Sequence, residues 1–237
     1  MKRLLILFCL HLPFIVDAHS GSDTTLHKYG DNRNAWFMYF GDHKFSDRFG
    51  VHIEAQLRRW DLVQHPQQLL LRTGLNYHLN PDVFFTAGYC YVYTSRYGVF
   101  PVAAAFPEHR IWQQVQVKSR FGKVEWTGRL RTEQRFSKLP VMDTESNTFE
   151  PGDAVYTNRY RLLNRLSIPL KGRDIADHSF YLTVYDEIMI NSGHSIAANF
   201  LDQNRAYFAL GYKFHKIGRL EAGYLEQTIF KSDGVKV

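Results

Sequence analysis

The sequence predicts an all-β protein, a single antiparallel up-and-down β-barrel of the transmembrane type with about 10–12 strands. Three observations lead to this prediction. From residue 34 onward, apolar and polar residues alternate with the period of two that is typical of a β-strand. Several of these segments exceed the ~5–6 residues usual in globular strands and reach the ~9–11 residues with which a tilted strand crosses a bilayer. Tight turns and longer loops alternate along the chain, as they do in outer-membrane barrels.

The alternation is clearest between residues 49 and 58. One face would carry Phe49, Val51, Ile53, Ala55 and Leu57, and the other His52, Glu54, Gln56 and Arg58. We expect the apolar face to point to lipid and the polar face to point into the barrel. The same pattern predicts strands at 34–41, 48–60, 67–78, 83–95, 108–121, 124–137, 155–169, 179–190, 203–214 and 219–230.

The connections predict an orientation. Turns with Pro or Gly are expected at 79–82, 122–123 and 216–218, and long outer loops at 95–107, 137–154 and 191–202. If the tight turns are periplasmic, the strand at 219–230 runs outward. The chain would then end in an outer loop, whereas single-chain bacterial barrels have an even number of strands and closed edges. Either the sequence lacks a closing strand, or the N-terminal segment contributes it.

The N-terminus predicts export. Lys2 and Arg3 precede an apolar run, and Val16-Asp17-Ala18 offers small residues for cleavage, which is the pattern of a secretory signal peptide at 1–18. The run of about 13 residues is shorter than the ~20 of a spanning helix, although an anchor helix is the alternative. Residues 19–33 are predicted to be a flexible leader and 34–237 one barrel domain, placed in the bacterial outer membrane.

Composition excludes several classes of protein. Aromatic residues make up 15% of the chain although hydrophobic residues reach only 45%, a combination that alternating strands would give. No later segment is apolar for the length of a spanning helix, which excludes a helical membrane protein. The net charge of +6 is spread along an exported chain, which argues against nucleic acid as a partner. Cys90 would be the one cysteine left after cleavage, and we expect it to be a buried apolar residue and not a reactive thiol.

The polar face is the candidate functional site. Charged residues that share strand parity are expected to converge inside the barrel: Glu54, Arg58, Arg129, Arg131, Glu133, Arg135, Arg159, Arg161, Arg165, Glu187 and Arg205. Arg72 and Arg110 extend this set. Two interpretations remain open, an ion-paired filling of a narrow barrel and a positive interior that passes or binds small anionic solutes. A wide pore is not expected, because long side chains would fill so narrow an interior. The expected partners are outer-membrane lipid and small anionic solutes.

Catalytic and metal motifs are weak. His178-Ser179 and His194-Ser195 are the local pairs that a hydrolase could use, but adjacent strand residues point to opposite faces. No Gly-x-Ser-x-Gly motif, metal-ligand spacing or phosphate-binding loop is present, so we predict no enzyme activity, no metal and no cofactor. The alternatives are an outer-membrane lipid hydrolase and a soluble periplasmic β-barrel that binds an apolar ligand. The second alternative needs its apolar face inside.

The order of short motifs resembles the bacterial family called domain of unknown function 2490. The segments that carry the resemblance are 35–37, 68–77, 88–91, 108–110 with Gln114, 130–136, 160–162, 186–187 with Asn191, 203–205 and 223–227. The resemblance implies an outer-membrane-like barrel and no assigned activity, so it carries over no catalytic residue. Arg131, Glu133, Arg135, Glu187 and Arg205 match its motif positions. Such proteins usually continue into a further strand, which adds to the expectation that a closing strand is missing.

Overall fold

The described part of the chain comprises residues 32–99, 101–193, 200–215 and 218–230 of a computed structural model. The predicted signal peptide at 1–18 and nearly all of the leader at 19–33 lie outside it. His194 and Ser195 also fall outside the described residues.

The all-β prediction is confirmed. One sheet contains 10 strands in sequence order, and each strand is antiparallel to its neighbours. None of the described residues forms a helix of the length and apolarity needed to cross a membrane. The strands are Asn34–Lys44 (β1), Phe49–Trp60 (β2), His65–His78 (β3), Val83–Thr94 (β4), Phe106–Phe121 (β5), Val124–Asp143 (β6), Thr148–Pro169 (β7), Ser179–Ser192 (β8), Leu201–Phe214 (β9) and Gly218–Ile229 (β10).

The sheet is curled into a barrel-like shape, so that inward side chains of distant strands meet. Arg72 of β3 donates from Nη2 to Oε1 of Glu133 on β6 at 2.7 Å. The guanidinium of Arg205 on β9 lies 5.1 Å from the ring centre of Trp36 on β1. Among the described residues, β1 and β10 do not pair with each other, so the sheet retains two edges.

The two faces of the sheet are reversed relative to a soluble protein. On β2, Ile53 and Leu57 are 43% and 48% exposed, whereas Glu54 and Arg58 on the opposite face are 2% and 7% exposed. The same reversal recurs on β3, where Leu71 is exposed and Arg72 is buried. Strict alternation produces this separation, because successive side chains of a strand point to opposite faces.

One predicted loop is wrong. Residues 137–154 were expected to form a long loop, but β6 continues to Asp143 and β7 already begins at Thr148. Prolines usually interrupt a strand, because they lack the N–H that a sheet needs. Here Pro140 faces Pro151 directly after a register shift that begins at Lys138, and such irregularities accommodate residues that lack an N–H.

The connections define two ends of the sheet. Of the described residues, 61–64, 95–99, 101–105 and 144–147 lie at the loop end, and 45–48, 79–82, 122–123 and 170–178 lie at the turn end. Residues 194–199 of the predicted loop 191–202 and residues 216–217 of the predicted turn 216–218 lie outside the described residues. The connection 170–178 is long although tight turns were expected at this end. It contacts strands on both sides of the β7–β8 hairpin. Arg120 of β5 donates to the carbonyl of Arg173, and Lys213 of β9 donates from Nζ to the carbonyl of Ile175 at 3.1 Å. With Ile175 buried, this segment covers part of the turn end.

Candidate functional site

Four glutamates lie buried inside the curled sheet. Glu54, Glu108, Glu133 and Glu187 come from β2, β5, β6 and β8, and the strand alternation points each of them inward. A buried carboxylate without a partner costs several kcal/mol, so each needs a cation or hydrogen-bond donors. The structure supplies arginines from neighbouring and distant strands.

Glu133 is the centre of this arrangement and is fully buried. Its Oε1 accepts from Nη2 of Arg72 at 2.7 Å and from Nη1 of Arg161 at 3.0 Å. Its Oε2 accepts from Nη1 of Arg110 at 3.1 Å. One carboxylate therefore links β6 to β3, β5 and β7 across the interior.

Glu187 forms a second junction. Arg161 binds it in a two-point contact, with Nε 3.1 Å from Oε1 and Nη2 2.8 Å from Oε2. Arg129 donates from Nη2 to the same Oε1 at 2.7 Å. Because Arg161 also contacts Glu133, the two junctions form one connected network. Two-point contacts of this kind are among the strongest ion pairs in proteins.

The remaining two glutamates extend the network. Oε2 of Glu54 accepts from Nη1 of Arg72 at 2.9 Å. Glu108 accepts from Nε of Arg110 at 2.6 Å and from Nη2 of Arg135 at 2.9 Å. We call the connected set the central network: Glu54, Arg72, Glu108, Arg110, Arg129, Glu133, Arg135, Arg161 and Glu187.

A buried tryptophan packs against the central network. The guanidinium of Arg131 lies 4.7 Å from the ring centre of Trp112, and that of Arg72 lies 5.2 Å from it. Arg131 also donates from Nη2 to Oε1 of Gln114 at 2.7 Å. Burial removes water from these arginine side chains, and the contacts with the aromatic face and the amide compensate for that loss. Ion pairs and aromatic packing together fill the middle of the interior.

Two predicted cluster residues lie away from the central network. Arg165 pairs with Glu221 of β10 towards the turn end. Arg159 pairs instead with Asp202, with Nη2 2.7 Å from Oδ2, and donates from Nε to Asn191 at 3.2 Å. The structure thus divides the predicted set into a connected centre and separate peripheral pairs.

Arg58 and Arg205 share a different environment. The guanidinium of Arg58 lies 3.9 Å above Trp36, and that of Arg205 lies on the same ring. Arg58 donates from Nη1 to Gln68 at 2.8 Å and from Nη2 to Gln56. Among the described residues, no carboxylate forms an ion pair with Arg58. The nearest carboxylate oxygen to Arg205 is that of Glu187, at 3.7 Å from Nη1.

Both arginines line a cavity of about 270 Å³ above the central network, which we call the arginine cavity. It lies towards the loop end, where β2, β4, β5 and β10 finish or begin. Its described lining includes Gln56, Arg58, Gln67, Gln68, Thr94, Tyr97, Phe106, Glu108, Arg110, Arg135, Arg159, Arg161, Gln203, Arg205, Gln227 and Ile229.

Among the described residues, neither the His178-Ser179 pair nor the Cys90 thiol forms a catalytic site. Ser179 donates to the carbonyl of Ala176 at 2.5 Å, while Nδ1 of His178 lies 3.4 Å from the hydroxyl of Tyr212. Cys90 is fully buried and packs with Leu70, Val92 and Trp112, as predicted. Within the described residues, no group of His, Cys, Asp and Glu could hold a metal ion.

Several interior partners were not in the predicted cluster. Glu108 shares the parity of Arg110 on β5, so the alternation alone could have placed it inside. Asp202, next to a connection, and Trp36, among the aromatic residues of β1, carry no comparable signal. Their roles depend on which side chains the curvature of the sheet brings together.

Comparison with known proteins agrees with the resemblance seen in the motifs. The family model described as protein of unknown function (DUF2490) matches residues 33–237. No curated protein and no solved structure is detectably similar to the chain.

Proposed function

Since the chain belongs to the DUF2490 family, whose description leaves the function open, we propose from its geometry a bacterial outer-membrane β-barrel with a closed, ion-paired interior. One observation carries this proposal: the apolar face of the sheet points outward and the charged face points inward. The predicted signal peptide at 1–18 would supply the export step.

The energetics of the outward face favour lipid over water. A soluble monomer rarely exposes a contiguous apolar patch larger than a few hundred Å². Here the outward faces of successive strands are apolar at mid-height, as Ile53, Leu71, Tyr89, Ile111 and Leu130 illustrate. Burying such a side chain is worth about 1.5–3 kcal/mol. A bilayer recovers this energy, and antiparallel pairing satisfies the backbone groups of the strands between the two edges, which lipid cannot do.

Polar side chains on the outward face pair with one another. Gln113 donates to Gln134 at 3.2 Å, and Asn204 donates from Nδ2 to Oδ1 of Asp186 at 3.0 Å. Mutual hydrogen bonds lower the cost of placing these groups in an apolar medium. They are therefore compatible with a membrane-facing surface.

The inward face argues against the soluble alternative. A soluble barrel with an apolar ligand needs an apolar interior and a charged exterior. The interior of this sheet holds Glu54, Glu133 and Glu187 with their arginines. No observation within the described residues favours the hydrolase alternative.

The central network also argues against a diffusion pore. Arginines from four strands cross the interior and meet on shared carboxylates. About 10 strands enclose a space far narrower than that of porins with ~16–18 strands. We therefore favour a binding or structural role over passage of solutes.

Cell fractionation tests the proposal directly. The full chain, expressed in a Gram-negative host, should appear in the outer-membrane fraction. Its unheated sample should migrate differently from the boiled sample in a detergent gel, because folded barrels resist unfolding by the detergent. Recovery in the soluble periplasmic fraction, with no shift on heating, would overturn the membrane assignment.

A further inference from the structure

We propose that the arginine cavity binds a small anion that carries a carboxylate or phosphate group. The proposal rests on the proposed function in one respect, since a barrel in the outer membrane would open its loop end to the exterior. The binding chemistry itself depends only on the interior side chains.

The charges around the cavity are unbalanced. Its described lining contains Arg58, Arg110, Arg135, Arg159, Arg161 and Arg205, with Glu108 as the one carboxylate. Glu108 is already engaged by Arg110 and Arg135. Arg159 has Asp202, and Arg161 has Glu133 and Glu187. The excess positive charge is therefore concentrated on Arg58 and Arg205.

Among the described residues, no carboxylate pairs with Arg58, and Arg205 has only a 3.7 Å contact with Glu187, which Arg129 and Arg161 already engage. Arg58 and Arg205 are both 7% exposed, and their guanidinium groups lie 3.9 Å and 5.1 Å from the ring centre of Trp36. Nε of Arg205 is buried and has no hydrogen-bond partner. Burying two cations against one aromatic ring is costly unless a negative group compensates their charge. A bound anion would supply that group.

The lining specifies the class of ligand. Guanidinium groups bind carboxylate and phosphate through two parallel hydrogen bonds, and an aromatic ring can hold the guanidinium in place. The lining also contains amide groups for further polar atoms of the ligand, from Gln67, Gln203 and Gln227. An apolar wall is formed by Phe106 and Ile229. The volume of about 270 Å³ lies at the lower end of the ~300–1,000 Å³ common for ligand pockets. The ligand is thus a small organic anion or phosphate.

Calorimetric titration of the full chain, purified in a non-ionic detergent and a chloride-free buffer, tests the site. The probes are inorganic phosphate, succinate and, as a lipid source of the same chemistry, dihexanoyl phosphatidic acid. At least one probe should bind saturably. Arg58→Gln and Arg205→Gln should each weaken that binding about tenfold or more, the effect of losing a charge-assisted hydrogen bond. Saturable binding of the lipid probe alone would support the site and assign the anion to a headgroup.

Matched variants separate recognition from folding. Arg219→Gln removes an arginine that pairs with Glu125 outside the cavity, and it should leave the affinity unchanged. Arg58→Lys keeps the charge but loses the two-point geometry, so its affinity should fall between wild type and Arg58→Gln. A heat shift on the gel checks that each variant is folded.

The proposal is overturned if none of the three probes binds, or if Arg219→Gln weakens binding as much as the cavity variants do. Either result leaves the fractionation experiment untouched, because the titration requires no membrane address. Conversely, if the protein is found in the soluble fraction and still binds the anion, the proposed membrane location is contradicted and the anion site is supported.

Discussion

Replacing Glu133 by Gln is the sharpest perturbation of the central network. The carboxylate is fully buried and accepts hydrogen bonds from Arg72, Arg110 and Arg161 at 2.7–3.1 Å. Glutamine has nearly the same shape, so packing is preserved while the charge is lost. Three arginines would then share less negative charge in a fully buried site. Removing one partner of a buried ion pair costs about 3–5 kcal/mol, and we expect a loss of that size in the free energy of unfolding.

The matched control is Glu125→Gln. Glu125 accepts from Nη2 of Arg219 at 3.1 Å, but both side chains are about one-third exposed. Water and salt screen such a pair, so its loss should cost no more than about 1 kcal/mol. Reversible urea unfolding from lipid vesicles, followed by tryptophan fluorescence, measures both variants against wild type.

Equal losses of about 1 kcal/mol or less for Glu133→Gln and Glu125→Gln would refute the reasoning. That result would mean that the interior is hydrated and that the glutamate is screened. The closed interior would then have to be abandoned.

Three further predictions concern the membrane and the ends of the sheet. Ile53→Arg, in the middle of β2, should destabilise the protein folded in phosphatidylcholine vesicles by about 2–4 kcal/mol. Leu79→Arg, in a turn, should change the stability by less than about 1 kcal/mol. Similar losses of stability for the two variants would contradict the lipid-facing assignment. In planar bilayers the wild type should show no steady open current, and a large, stable, anion-selective conductance would contradict the closed interior. Trypsin added to intact cells should cleave after exposed Arg96 at the loop end and spare exposed Lys123 at the turn end; the reverse result would invert the orientation.

The strands were predictable because their signal is local. A period of two, carried over a long segment, fixes both the strand and the face of each side chain. The strand extension within 137–154 departs from a local rule, namely that Pro usually interrupts a strand. Pairing between β6 and β7 overrode that rule, with Pro140 and Pro151 placed next to a register shift.

The partners inside the barrel were less predictable. Alternation places Arg72 and Glu133 on the inward face, but their sequence positions differ by 61 residues. Which glutamate meets which arginine depends on the curvature and stagger of the whole sheet. The same applies to Trp36, whose contact with Arg205 joins β1 to β9 across the interior. Parity therefore predicts the composition of the interior but not its pairing.

The reversed faces are the central claim, and quenching of a fluorescent label tests them most directly. In a Cys90→Ser background, bimane would be attached at Leu130→Cys on the outward face of β6, or at Val141→Cys on the part of β6 that extends towards the loop end, which we expect to lie outside the bilayer. Both native side chains are exposed, at 48% and 58%, so both sites accept a label. In refolded vesicles, the label at 130 should be quenched by lipids brominated in the middle of their chains and spared by aqueous iodide, and the label at 141 should show the opposite. Iodide quenching of both labels, with no effect of the brominated lipids, would show that the apolar face lies in water and would contradict the account.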